Sequence, residues 1–123
     1  MRLLLDTHVL IWWDEGARLT ARAADAIREA EQVYVSAVTG WEIAIKTALG
    51  RLETTRVVAE AVAESGFEEL PMRLGHAEGI QALPWHHRDP FDRMLVAHAL
   101  AERLTLVTRD RIFERYGVKV LRA

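Results

Sequence analysis

The chain has 123 residues, of which 50% are hydrophobic and 28% are charged, and this composition excludes a disordered or fibrous protein. Cysteine is absent, which excludes a disulfide framework and a thiolate zinc site. No segment reaches the roughly 18 continuous apolar residues of a membrane span, so we expect a cytoplasmic protein with no membrane partner. The net charge of −2 leaves the class of partner open.

Short β-type runs alternate with longer helical stretches along the chain. In chain order we predict a strand at 2–5, a helix beginning near His8, a helix at 20–31, a strand at 33–36, helices at 37–49 and 54–64, a strand at 68–71, helices at 73–83 and 90–103, a strand at 104–108, a short helix near 111–116 and a strand at 118–121. Strands separated by helices of this length indicate βαβ crossovers. The prediction is an α/β fold with a mostly parallel central sheet of about five strands, in a single domain covering residues 1–123.

Two helix starts have clear local causes. Thr20 can cap the helix that follows it, in which alanines and straight-chain residues favour propagation. Asp89 is the predicted N-cap of the helix 90–103, with Pro90 at the first helical position and Asp92 in the first turn.

Four acidic residues fall where such a fold would bring side chains to one end of the sheet. Asp6 ends the first predicted strand, Glu42 comes soon after the second, and Asp110 closely follows the fourth. Asp92 lies at the start of a helix. Ligands of parallel sheets bind at the carboxyl ends of the strands, so these side chains are candidates for a shared site.

A cluster of carboxylates at this position predicts a divalent-metal site. Two carboxylates about 4 Å apart repel by roughly 4 kcal/mol, so the cluster either takes up protons or binds a cation. Oxygen ligands without cysteine favour magnesium or manganese, and these metals activate water and stabilise charge on a transferring phosphoryl group.

Three of the four acids also have a purely structural interpretation. Asp6 could be a turn residue or cap the helix near His8, Asp110 could cap the last short helix, and Asp92 could interact with the dipole of its own helix. Each of these roles is worth about 0.3–1 kcal/mol.

Glu42 has two structural alternatives of its own. It could close a capping box with Thr39, three residues earlier. If Ser36 is the cap instead, Glu42 shares a helix face with Lys46 and could form a solvated i,i+4 ion pair.

The five histidines do not show the paired spacing of a helical zinc site. His98 lies close to the apolar stripe of its helix, so we interpret it as an interior histidine with satisfied hydrogen bonds. His86 and His87 precede Asp89 in a loop, where they could line the entrance of a cleft or simply be exposed.

Four sequence blocks carry a resemblance to a known family. They are residues 3–10 (LLLDTHVL), 35–46 (VSAVTGWEIAIK), 87–95 (HRDPFDRML) and 106–110 (LVTRD), of which 87–95 is the most specific. In this order they make the chain similar to the PIN-domain ribonucleases, specifically the VapC toxins of bacterial type II toxin–antitoxin pairs. The resemblance covers essentially the whole chain.

This resemblance implies a fold, an activity and partners. It implies a PIN-like α/β/α sandwich in which Asp6, Glu42, Asp92 and Asp110 surround one or two magnesium or manganese ions. Asp6 and Asp92 match the family's acids most plainly, whereas some relatives carry another acid just downstream of Asp110, where this chain has Ile112. The implied reaction is cleavage of single-stranded or looped RNA by metal-activated water. The implied partners are a second copy of the chain and a VapB-like antitoxin whose tail crosses the acidic cleft.

Other residues beside the acids acquire expected roles from their position. Thr7 and Thr108 could hold a water molecule bound to the metal. Four arginines flank the acids in sequence and could contact phosphates of an RNA that the acids would otherwise repel: Arg88, Arg93, Arg109 and Arg111.

Two other functions remain open from the sequence. The first is a catalytically idle PIN fold that acts as a binding module, although the intact set of acids argues against it. The second is a magnesium-binding phospho-receiver domain, which would need an aspartate at the end of the third strand. Residues 68–71 read Glu-Glu-Leu-Pro and offer none.

Overall fold

Helices cover both faces of a five-stranded sheet in the computed structural model, which describes residues 1–53 and 56–123. The elements in chain order are β1 (Arg2–Leu5), α1 (Thr7–Glu15), α2 (Ala21–Glu29), β2 (Gln32–Ser36), α3 (Ala37–Ala48), α4 (Val58–Glu64), β3 (Glu68–Leu70), α5 (Leu74–Gln81), α6 (Pro90–Glu102), β4 (Thr105–Thr108), a 3₁₀ helix (Arg111–Tyr116) and β5 (Val120–Arg122). Within the described ranges, no helix is long and apolar enough to cross a bilayer.

All strand pairs of the sheet are parallel, and the strand order is β3-β2-β1-β4-β5. Leu3 pairs with Val33 on one side and with Thr105 on the other, so β1 is the central strand. The carboxyl ends of β1, β2 and β4 are therefore neighbours at one edge of the sheet. The chain segments that follow these three ends carry Asp6, Glu42 and Asp110.

The two faces of β1 belong to separate hydrophobic clusters. Leu3 and Leu5 are fully buried against residues of α1 and α2, whereas Leu4 is fully buried against residues of α6, including Leu95. Burying a leucine side chain stabilises the fold by about 1.5–3 kcal/mol. The continuous apolar run of β1 is typical of a strand covered by helices on both faces.

Local hydrogen bonds explain where the helices beside the site begin. Asp89 Oδ1 accepts from the backbone N–H of Phe91 at 2.8 Å and of Asp92 at 3.1 Å, as predicted for the N-cap of α6. Ser36 Oγ accepts from the backbone N–H of Val38 at 3.0 Å and caps α3. The alternative of a capping box between Thr39 and Glu42 is therefore wrong.

The predicted elements are all present, with differences at their ends. The cap at Thr20 is confirmed, because its Oγ1 accepts from the backbone N–H of Ala23 at 3.1 Å. The predicted helix 54–64 starts at residues outside the described ranges, and α4 begins at Val58. Strand β5 begins two residues later than predicted, since Gly117 is left-handed (φ 74°) and the chain needs residues 118–119 to reach its register.

His98 is an interior residue, as predicted, but its ring lacks the predicted hydrogen bonds in the described part of the chain. Its side chain has 0% exposure, and its ring lies 4.4 Å from the ring of His76 between α5 and α6. Neither ring nitrogen has a hydrogen-bond partner within residues 1–53 and 56–123. Burial lowers the pKa of His98 to about 4, so the ring is neutral at physiological pH.

Candidate metal centre

Four acidic side chains from different parts of the fold converge beyond the carboxyl end of the sheet. Asp6 follows β1, Glu42 lies in the second turn of α3, Asp92 lies in the first turn of α6, and Asp110 follows β4. The negative charges of the other three all act on Asp92. The structure thus brings together the four acids that the sequence singled out.

Asp6 is held by a threonine of the neighbouring strand. Its side chain is buried, and its Oδ2 accepts a hydrogen bond from Thr108 Oγ1 at 2.7 Å. Asp6 occupies the N-cap position of α1, but its side chain makes no capping hydrogen bond in the described part of the chain. Burial raises the pKa of Asp6, while the hydrogen bond from Thr108 opposes this effect.

Glu42 uses both of its carboxylate oxygens inside the protein. Oε1 accepts a hydrogen bond from Thr7 Oγ1 at 2.6 Å, and Oε2 pairs with Lys46 Nζ. The Glu42 side chain is 4% exposed, so the alternative of a solvated surface pair with Lys46 is wrong. The hydrogen bond with Glu42 raises the pKa of Lys46 and keeps its ammonium charged.

Thr7 and Thr108 each orient an acid directly, and their expected role of holding a metal-bound water stays a prediction. Each hydroxyl has a single hydrogen, and each gives it to a carboxylate. Thr108 Oγ1 also accepts from the backbone N–H of Asp110 at 3.1 Å, so this one hydroxyl links two of the acids. Such supporting hydrogen bonds fix the direction in which a ligand oxygen points.

Asp92 is the most perturbed acid of the cluster. Its side chain is 19% exposed, and its Oδ2 lies 2.8 Å from His87 Nε2. Burial raises the pKa of Asp92 to about 8, with further contributions from neighbouring carboxylates, of which Asp6 contributes most. In the metal-free protein this carboxyl therefore keeps a proton over much of the physiological range.

His87 was expected to line the entrance of a cleft or to be exposed, and it was not counted among the site residues. Its Nδ1 accepts from the backbone N–H of Asp89 at 3.3 Å, so the neutral ring carries its proton on Nε2 and donates to Asp92. Its Nε2 also lies 3.5 Å from Asp110 Oδ2. Its sequence signals were its position in the loop before the cap of α6 and its place in block 87–95.

Asp110 combines the two roles that the sequence left open. Oδ1 accepts from the backbone N–H of Ile112 at 3.0 Å and caps the 3₁₀ helix. Oδ2 faces His87, and the side chain is 49% exposed. Capping uses Oδ1 and fixes the Asp110 side chain, so the other oxygen, Oδ2, stays available to bind a ligand.

The chemistry of these residues fits a hard divalent cation. Three side chains present ligand atoms within 4.8 Å of one another, namely His87, Asp92 and Asp110. Because Nε2 of His87 carries a proton in this arrangement, we interpret the histidine as a hydrogen-bonding support and the two carboxylates as the ligands. A cation would also remove the repulsion that raises the pKa of Asp92.

Arg93 lies in the protein interior, and its geometry does not support the expected phosphate contact. The residue is 3% exposed, and its guanidinium donates to the backbone carbonyls of Pro84 at 2.9 Å and Ile80 at 3.1 Å. The guanidinium also lies 3.9 Å from the ring centroid of Trp85. Arg93 therefore fixes the segment between α5 and α6, which carries His87.

The other three flanking arginines are exposed but differ in their contacts. Arg109 donates through Nε to the carbonyl of Ala123 at 3.1 Å and stacks on Trp12, with 4.2 Å between guanidinium and ring centroid. Its guanidinium is thus largely used within the fold. Arg88 and Arg111 are exposed on the loops that carry the acids.

Comparisons with known proteins agree with this fold. Residues 3–119 match the PIN domain family. The chain is 34% identical over 118 residues to Ribonuclease VapC22 of Mycobacterium tuberculosis, and this match covers 89% of this chain and 87% of the relative.

Solved structures with the same fold extend over almost the whole chain. A chain of VapBC2 from Rickettsia felis, bound to a DNA fragment from its promoter, has a TM-score of 0.74 at 14% identity and covers 99% of this chain and 98% of that one. VapBC-5 from Mycobacterium tuberculosis, described as a member of the VapBC family of toxin–antitoxin systems, has a TM-score of 0.64 at 25% identity, with 99% and 98% covered. With its four acids at the carboxyl end of a parallel sheet, the chain belongs to the PIN-domain family and, within it, to the VapC ribonucleases.

Proposed function

We propose that this protein is a metal-dependent endoribonuclease toxin that hydrolyses phosphodiester bonds in single-stranded or looped RNA of the cytoplasm. The observation that carries the proposal is the position of Asp92, which lies mostly buried among Asp6, Glu42 and Asp110. The burial and repulsion that raise the pKa of Asp92 weaken the metal-free fold at neutral pH, and a bound cation would offset both, so they support a cation site. The identity with a relative named as a ribonuclease supports the reaction class.

Magnesium or manganese fits the proposal best, because the donor set consists of carboxylate oxygens. When bound, such an ion activates water and stabilises the charge that develops on a transferring phosphoryl group. Asp92 and Asp110 would hold the ion, and Asp6 and Glu42 would complete the acidic surroundings. His87 holds Asp92 through Nε2 and so fixes the carboxylate in the cleft.

The chain also needs to attract a polyanion to an acidic cleft. Arg88 and Arg111 are exposed and adjoin the segments that carry Asp92 and Asp110. We therefore retain these two arginines as phosphate contacts of the RNA strand on either side of the cleavage point. Contacts of this kind position the strand and carry no sequence information by themselves.

A cognate antitoxin is the second proposed partner. The structural relatives include VapBC complexes, in which the toxin is described together with its partner. Co-expression with a small neighbouring reading frame should yield a stable complex in which RNA cleavage is suppressed.

The decisive experiment uses purified, antitoxin-free protein and a pool of cellular RNAs. We expect discrete cleavage products with magnesium or manganese, none with a chelator, and none for the double variant Asp6→Asn/Asp92→Asn. Asp25→Asn is the matched control, because Asp25 is an exposed acid that pairs with Arg28 on α2. Metal-dependent cleavage that survives in the double variant would refute the assignment of these acids.

A further inference from the structure

Lys46 places a positive charge inside the acidic cluster. Its Nζ pairs with Glu42 Oε2, and its charge also interacts with Asp89 and Asp92. The lysine side chain is 33% exposed, whereas its partner carboxylate is 4% exposed. The ammonium therefore enters the site from its rim and reaches a carboxylate that water hardly contacts.

The contacts of Glu42 leave it little capacity for a metal ion. One oxygen already accepts from Thr7 Oγ1 at 2.6 Å, and the other is paired with Lys46. The compact group of ligand atoms, which includes Asp92 and Asp110, does not include Glu42. Within the described residues, Asp92 and Asp110 thus form a part of the site suited to a metal cation, whereas Glu42 is already paired with the ammonium of Lys46.

Sites with two metal ions hold them about 3.5–4 Å apart, so a second ion here would lie within reach of Glu42 as well as of the other acids. A second ion beside Glu42 would have to share that carboxylate with an ammonium group, and like charges at this distance repel strongly. We propose that Lys46 acts as a built-in counter-ion of Glu42 and limits the centre to one divalent ion. This inference rests on the proposed metal-dependent function and defines its metal stoichiometry.

A simple helical ion pair is the competing explanation for the same contact. Exposed i,i+4 pairs contribute only a few tenths of a kcal/mol and have no effect on a neighbouring site. The burial of Glu42 excludes an ordinary exposed pair, but a buried pair that only stabilises the helix is compatible with it, because a buried carboxylate without a partner is costly. Metal binding distinguishes the two, since a merely structural pair leaves the number of bound ions unchanged.

The test is a titration of the full chain with Mn²⁺, followed by calorimetry and by electron paramagnetic resonance. The wild type is compared with Lys46→Met, which keeps the length of the side chain and removes its charge, and with Lys46→Arg, which keeps the charge. Lys119→Met is the matched control, because Lys119 is the other lysine of the sequence and lies at the amino end of β5, away from the acids. Thermal melts establish that each variant is folded.

We expect one Mn²⁺ per chain for the wild type, Lys46→Arg and Lys119→Met, with the spectrum of an isolated ion. Lys46→Met should bind two ions and give the spectrum of a spin-coupled pair. Two ions in the wild type, or one ion in folded Lys46→Met, would overturn the role of Lys46 and leave the metal-dependent function intact. If the wild type binds no Mn²⁺, the proposed metal centre itself is wrong and the inference falls with it. Should Lys46→Met not fold, Lys46→Gln replaces it, and the wild-type count still decides whether a second ion is accepted.

Discussion

Replacing Asp92 by asparagine is expected to stabilise the metal-free protein at neutral pH. The carboxyl group has a folded pKa of about 8 against a usual value of 3.8, with burial as the main cause. Between these two values the folded protein binds a proton that the unfolded chain does not bind. The free energy of unfolding of the wild type therefore falls as pH rises from about 4 to about 8. Asparagine carries no charge at any pH and removes this loss.

The size of the effect follows from the same pKa values. At about 1.4 kcal/mol per tenfold change, the pKa difference corresponds to an upper limit of about 6 kcal/mol. Asp92 keeps 19% exposure, and neighbouring acids can share the proton, so the observed gain should be smaller. We expect Asp92→Asn to unfold at a higher urea concentration than the wild type near pH 7.5, with a gain of roughly 1–3 kcal/mol, and to match the wild type near pH 4.

The assay is urea unfolding of both proteins in the presence of a chelator, at several pH values. Asp25→Asn serves as the control, because Asp25 is exposed and outside the acidic cluster. Added manganese should stabilise the wild type and not the variant, because a ligand that binds only the folded state raises its stability. Equal stabilities of wild type and Asp92→Asn at neutral pH, or a gain that is independent of pH, would refute the electrostatic reasoning.

Three further predictions concern residues around the site. Arg93→Ala should lower the free energy of unfolding by about 1–3 kcal/mol in urea, since the backbone carbonyls of Pro84 and Ile80 lose the guanidinium that bonds them, whereas the exposed Arg88→Ala should have almost no effect. Thr108→Val should keep the fold but weaken Mn²⁺ binding roughly 10–100-fold in calorimetry, because Asp6 loses its supporting hydrogen bond; Thr105→Val on the same strand should bind normally. In the folded wild type the pKa of His98 is about 4, below the usual 6.5, so the free energy of unfolding falls as pH drops from 6.5 to 4. His98→Leu should abolish this fall. If the free energy of unfolding of His98→Leu in urea falls between pH 6.5 and 4 as much as that of the wild type, the buried histidine is not the cause.

The sequence predicted the sheet and the order of its elements because both depend on local patterns. Apolar runs of strand length, separated by helical stretches, are sufficient to indicate parallel βαβ units. The capping residues Thr20 and Asp89 act within three residues of their own position, so their effects could be predicted from neighbours alone. Strand β5 was less predictable, since its start depends on register with β4.

The candidate site was predictable only where a residue directly follows a strand or starts a helix. Asp6 and Asp110 follow strands that prove to be neighbours, so their convergence follows from topology. Arg93 and His87 were less accessible, because their roles depend on the loop between α5 and α6. A buried guanidinium needs several carbonyl acceptors, and only the folded loop assembles them around Arg93.

The tension between stability and function in this fold is concentrated on Asp92. The residue lies in the first turn of α6, where an acid helps the helix, yet the same position exposes its carboxylate to the charges of four other acids. Lys46 and His87 each relieve part of this repulsion without removing it, the first through Glu42 and the second by donating to Asp92. The repulsion that remains raises the free energy of the metal-free fold, and a bound divalent ion would remove this repulsion. A protein selected for stability alone would place an asparagine or a hydrophobic residue at this position.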